Sequence, residues 1–124
     1  MDKNYYQLLI DFGQAFNNHD ADALVAMMAE DACFYTAAGE TAYGNKISGR
    51  DAIKSAFASV WETMPDAHWE AGDIFIYKNR GLAEWVFSGT GKDGNRIEAQ
   101  GCDIFTFKEG KISVKNAFRK QVST

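Results

Sequence analysis

Three turn signals divide the second half of the chain into long apolar-rich runs, and their spacing restricts the fold more than any other feature. Asn79-Arg80-Gly81, Lys92-Asp93-Gly94-Asn95 and Glu109-Gly110 separate runs at 68–78, 82–91, 96–108 and 111–122. Asp-Gly is a strong hairpin signal because its residues accept the positive φ that a tight turn demands. Connections this short join antiparallel neighbours, since a parallel pair needs a crossover of a dozen residues or more. The spacing therefore predicts an antiparallel meander of long strands.

The first half has a helical period. Tyr5, Leu8, Leu9, Phe12 and Phe16 fall on one face of a helix that ends near Asn17-Asn18-His19-Asp20. Asp20 is placed to cap a short second helix with Leu24, Val25 and Met28 inside, and a strand follows at 32–36. Residues 37–46 read as a loop or short hairpin. Ser48-Gly49-Arg50-Asp51 has capping-box spacing and opens a third helix, with Ile53, Ala56, Phe57, Val60, Trp61 and Met64 as its stripe and Pro65 as its stop. Helices first and strands later predict an α+β fold, helices on one side of a curved sheet, in a single domain spanning 1–124.

Composition excludes several classes. Apolar residues make up 46% of the chain, yet no apolar run approaches the roughly 20 residues of a membrane span. A net charge of −4 with no basic stripe speaks against nucleic acid. The opening MDKNYYQLLIDF lacks a signal-peptide core, so a cytoplasmic protein is expected. Cys33 and Cys102 have neither a disulfide framework nor zinc spacing, and His19 and His68 lie far apart, so no metal or cofactor is predicted.

Every second residue of the 96–108 run gives Ile97, Ala99, Gly101, Asp103, Phe105 and Phe107, an apolar face interrupted by one carboxylate. A buried carboxylate is costly unless paired or hydrogen-bonded, so Asp103 is either half of an ion pair or a working group in a pocket. The last strand splits into Ile112, Val114, Asn116 and Phe118 on one face and Ser113, Lys115, Ala117 and Arg119 on the other. Patterning alone turns Lys115 and Arg119 to solvent. A second subunit on the outer face would instead cover Ile112, Val114 and Phe118 and leave the two cations facing inward beside Asp103. Trp85 is either core or a flat wall for a ring-shaped ligand, and Glu84 is a candidate partner for Lys115. Phe12, Tyr35 and Trp61 are further candidate walls; His68, at a strand start, is a ligand-side candidate whose default is the surface.

Taken in order, FGQAFNNHDADALVAMMAEDACFY, SGRDAIKSAF and GCDIFTFKEGKI resemble the NTF2-like superfamily and, within it, SnoaL-like and ketosteroid-isomerase-like proteins. The resemblance implies a cone-shaped, cystatin-like fold: three N-terminal helices packed on a curved antiparallel sheet that encloses a pocket, with homodimers formed through the outer sheet face. In the isomerases an aspartate before an apolar-apolar-x-Phe run helps form the oxyanion hole, and Asp103 matches it. Phe12 stands where they carry a tyrosine and Thr36 where they carry the proton-shuttling aspartate. Where SnoaL-type cyclases use an acid near the end of the last strand, this chain reads KNAFRK. The resemblance implies a cofactor-free acid–base enzyme of the isomerase, cyclase or lyase type acting on a small apolar carbonyl compound, with Asp103, Lys115 and Arg119 as its chemical groups. The alternative is a non-catalytic ligand-binding or structural dimeric domain. Arg119 would favour a carboxylate or enolate, hence a small apolar or weakly acidic ligand.

Overall fold

The computed structural model describes residues 4–122. Helix α1 (Tyr5–Asn17) starts at Asn4, whose side chain accepts the Gln7 N–H at 2.9 Å, and buries Leu9, Phe12, Ala15 and Phe16. Helix α2 (Ala21–Ala26) is capped by Asp20, as its position predicts, through the Ala23 N–H. Strands β1 (Met28–Tyr35) and β2 (Lys46–Ser48) follow, then helix α3 (Arg50–Thr63) and the meander β3 (His68–Tyr77), β4 (Arg80–Thr90), β5 (Arg96–Lys108) and β6 (Lys111–Arg119). None of the described helices is long and apolar enough to cross a membrane.

The sheet order is β2-β1-β6-β5-β4-β3. All neighbours are antiparallel except β1 and β6, which run parallel. This corrects the expectation of a wholly antiparallel sheet: β1 is made before α3 and the meander, and β6 returns beside it at the end. Nor do the helices all precede the strands, because β1 and β2 lie between α2 and α3. Met28 belongs to β1 opposite Ile112, not to the second helix. Ser48 closes β2 and does not cap α3; the cap is Gly49 at φ 88°, without a side-chain bond. Arg50 instead anchors α3, donating Nε and Nη2 to the Met28 carbonyl at 3.0 and 2.7 Å.

Two register shifts decide which residues face the helices. In β3 the pairing moves from Ala71↔Trp85 to Ile74↔Ala83, so Trp69 and Ile76 both pack against the core although their parities differ. In β6 it moves from Phe107↔Ile112 to Thr106↔Val114, which leaves Ser113 extra. Strict alternation had put Ile112 on the outer face with Val114 and Phe118. The bulge corrects this: Ile112 is fully buried against the helices, and Lys115, three residues on, is also inside. The Ser113 hydroxyl holds the bulge by donating to the Thr106 carbonyl at 3.1 Å.

Asp66, in the α3–β3 connection, ties that loop to the end of β4. It accepts the Thr90 N–H at 2.9 Å and the Thr90 hydroxyl at 2.7 Å. The hydroxyl bond foremost, then the amide, holds its carboxyl below the ordinary 3.8. A carboxyl lowered by folding adds stability above its unfolded value and loses it as the pH falls through the folded one. The advantage of the native protein over Asp66→Asn is therefore expected in full at neutral pH and to fade as the pH drops below 3.8, followed by urea denaturation at several pH values. A pH-independent difference would exclude this clamp.

Candidate functional site

One end of the space between the helices and the sheet is filled by rings. Phe12 packs edge-on to Phe16, Phe57 and Phe105, with centroids 5.4 to 6.3 Å apart, and Tyr5 stacks on Phe107 at 4.1 Å. Towards the other end the inward positions of the sheet become small, with Ala83, Gly101 and Ala117 in place of Phe105 and Phe107. Side chains this short do not reach the helices. A cavity of about 440 Å³ remains, lined by residues of both helices α1 and α3, of β4 to β6, and by Thr36, Ala37 and Ala38 after β1.

Asp103 and Lys115 stand on its wall, 7% and 6% exposed. Lys115 Nζ donates to Asp103 Oδ1 at 3.1 Å and Trp85 Nε1 donates to Oδ2 at 3.0 Å. The ammonium also lies 4.6, 5.2 and 5.7 Å from the ring centres of Phe34, Phe16 and Phe57. Cation–π attraction of this kind strengthens where water is excluded. Trp85 can lean onto Asp103 because its cross-strand partner is Gly101, where a Cβ would collide with the indole ring. At the exposed end of β6, Arg119 lays its guanidinium 5.0 Å over Phe87 and has no hydrogen bond or ion pair among the described residues. The lining thus carries one acid and two cations inside a chain of net charge −4.

Of the residues singled out in the sequence, the fold brings Asp103, Lys115, Arg119, Phe12 and Trp85 to this cavity and sends the others elsewhere. Tyr35 lies opposite Asn116 on the outer side and borders a separate open cleft of about 640 Å³ with Tyr43 and Lys46. Glu84 faces outward opposite Cys102, so it is no partner for Lys115. Outward direction follows from alternation with inward Trp85. His68 is exposed and reaches only Glu70, at 3.4 Å. Trp61 belongs to the core behind α1, stacked on His19 at 4.9 Å and edge-on to Phe16. Thr36 lines the cavity, but its hydroxyl is engaged locally, donating to the Ala38 carbonyl and accepting the Asn45 N–H. Sequence reading missed Phe34, Phe87 and Gly13 as lining; the first two carried no signal beyond ordinary strand apolarity.

Cys102, beside Asp103 on the opposite sheet face, is a poor nucleophile: burial first, then the charges of Asp103 and Glu84, pushes its thiol up. Among the described residues no three His, Cys, Asp or Glu side chains are placed to hold a metal ion.

Residues 9–114 match the SnoaL-like domain family. None of the curated proteins matches the chain. Solved structures share its shape at low identity. An NTF2-like protein of unknown function from Burkholderia pseudomallei is 17% identical, with a TM-score of 0.84 over 96% of this chain and 92% of that one. Bal32a, from a soil-derived mobile gene cassette, is 19% identical, with a TM-score of 0.82 over 94% and 88%. TerC, co-crystallised with polyporic acid, is 14% identical, with a TM-score of 0.80 over 93% and 90%. At these identities the likeness establishes the fold alone.

A buried pair of this kind is costly to break and cheap to replace whole. Asp103→Leu and Lys115→Met are each expected to destabilise the protein by about 3–5 kcal/mol, and the double variant to recover most of that loss. Urea denaturation of the four proteins gives the coupling. Additive losses would show that the two groups do not act as a pair.

Proposed function

Since the chain belongs to the SnoaL-like domain family, we propose that it takes a small, mostly apolar carbonyl compound into the cavity and moves a proton on it without a cofactor. The observation that carries this reading is the Asp103–Lys115 pair, nearly shut off from water on the wall of a 440 Å³ apolar space. Asp103 takes a proton from the carbon next to the carbonyl. Negative charge then gathers on the substrate oxygen, where the Lys115 ammonium and the Arg119 guanidinium stabilise it. Returning the proton to another carbon gives an isomerase; letting the enolate attack or eliminate within the same molecule gives a cyclase or lyase. Phe12 and Trp85 provide flat walls for a ring. That TerC, a protein of this fold, was co-crystallised with polyporic acid supports an acidic or oxygen-bearing ligand. The cytoplasm is the compartment this reading assumes.

A second reading, a binder without catalysis, is favoured by one observation: each oxygen of Asp103 already holds a donor, Lys115 on one and Trp85 on the other. Exchange of the α-hydrogens of 2-tetralone into D2O, followed by NMR, separates the two. The native protein is expected to accelerate exchange, and Asp103→Asn to lose about 10²-fold or more of it. Unchanged exchange in Asp103→Asn would remove Asp103 from the chemistry. Saturable binding with no acceleration would leave the binder.

The outer sheet face fits a homodimer. Phe75, Tyr77 and Phe118 are 58%, 72% and 47% exposed there, more large apolar surface than an isolated sheet face usually shows. Sedimentation at micromolar concentration is expected to give a dimer and Phe118→Glu a monomer. A native monomer would rule the interface out.

A further inference from the structure

Gly13 sits in the middle of α1, flanked on the helix by Leu9, Phe12 and Phe16, and it lines the cavity with them. Glycine is the poorest helix former after proline. A glycine inside a helix is ordinarily explained by something packed too close for a side chain. Here that explanation fails, because a Cβ at Gly13 would meet no atom within 4 Å. The protein leaves this space open although alanine would strengthen the helix.

The surrounding lining shows where the space leads. The cavity residues that are also solvent-exposed are Gly13 on α1, Ser59 on α3, Ala37 and Ala38 in the loop after β1, and Arg119 at the end of β6. They mark the mouth. Four of the five are glycine, alanine or serine, whereas every phenylalanine and tryptophan of the lining lies deeper. The remaining one is Arg119, which has no ion-pair partner among the described residues. An opening framed by small side chains and one guanidinium suits a flat body carrying an anionic group.

We infer that Gly13 is the size-selecting residue of this mouth: it keeps clear the volume that the broad end of a fused-ring aromatic acid occupies, while Arg119 takes the acid group. This rests on the cavity being the ligand site, as proposed above. It adds a substrate class, planar bicyclic acids over single-ring ones, and a residue that sets the boundary between them.

The test uses 2-naphthoate and benzoate, titrated by calorimetry into the full-length native protein, Gly13→Ala and Gly13→Leu, with Tm measured for each. Gly13→Ala is expected to raise Tm by a few degrees through helix propensity, and to weaken 2-naphthoate binding at the same time. Gly13→Leu is expected to cost 2-naphthoate about tenfold or more in affinity while leaving benzoate within about twofold. A purely structural glycine would not separate the two acids. Binding of 2-naphthoate unaltered in both variants, or an equal loss for both acids, overturns the inference and leaves the cavity reading standing. A fall in Tm for Gly13→Ala overturns it too, since something would then pack where the space was taken to be open. If the leucine variant does not fold, the paired Tm and 2-naphthoate results of Gly13→Ala decide alone. A native protein that binds neither acid removes the cavity reading and this inference with it.

Discussion

The single extra residue at Ser113 lets β6 serve two ends of the molecule at once. Before the bulge, Ile112 pairs with Phe107 and packs into the core at zero exposure. After it, Lys115 pairs with Phe105 on one side and Phe34 on the other and points into the cavity. Side chains alternate strictly along an uninterrupted strand, so residues three apart face opposite ways. Without the bulge either the core would lose Ile112 or the cavity would lose both its cations, Lys115 and Arg119. The serine hydroxyl bonded across to Thr106 satisfies part of the ladder that the bulge interrupts.

The ion pair of the cavity depends on that placement. Asp103 is inside because β5 carries it there by simple alternation, and it is tolerable there because Lys115 reaches it diagonally across the β5–β6 pair. Lys115 in turn is held by three phenylalanine rings from α1, β1 and α3. The pair thus couples both helices to the sheet. A buried ion pair is a poor source of net stability against an apolar replacement. Trp85 completes the arrangement only because Gly101 leaves its ring room to cross β5.

Much of the fold was legible from local signals. The three turns, the helix stripes and the Asp20 cap each depend on residues close in sequence, and each was found close to where the periodicity placed it. The apolar face around Asp103 was also readable, since β5 pairs with β4 without a register shift and the extra residue of the next hairpin lies in β6. The two cations were another matter. Their inward direction was reached through an assumed dimer, whereas the cause is a bulge within the chain, and the same reasoning wrongly turned Ile112 outward. Tyr35, Trp61, Glu84 and His68 were attractive by residue type alone, and type does not say which side of a sheet a side chain takes or how far along the sheet it sits. Gly13 carried no pattern at all, because what distinguishes it is the absence of neighbours.

By itself the sequence determined the kinds and order of the elements, a meander after helices, and one carboxylate on an apolar face, because turn chemistry and side-chain period act within a few residues. The tertiary structure alone decided that β1 and β6 lie side by side in parallel, that a bulge brings Lys115 to Asp103, and that small residues at one end leave a cavity with Arg119 at its mouth. The first depends on pairings between residues eighty or so positions apart, the second on one extra residue within a hairpin, and the third on space left unfilled, which no local pattern of residue types announces.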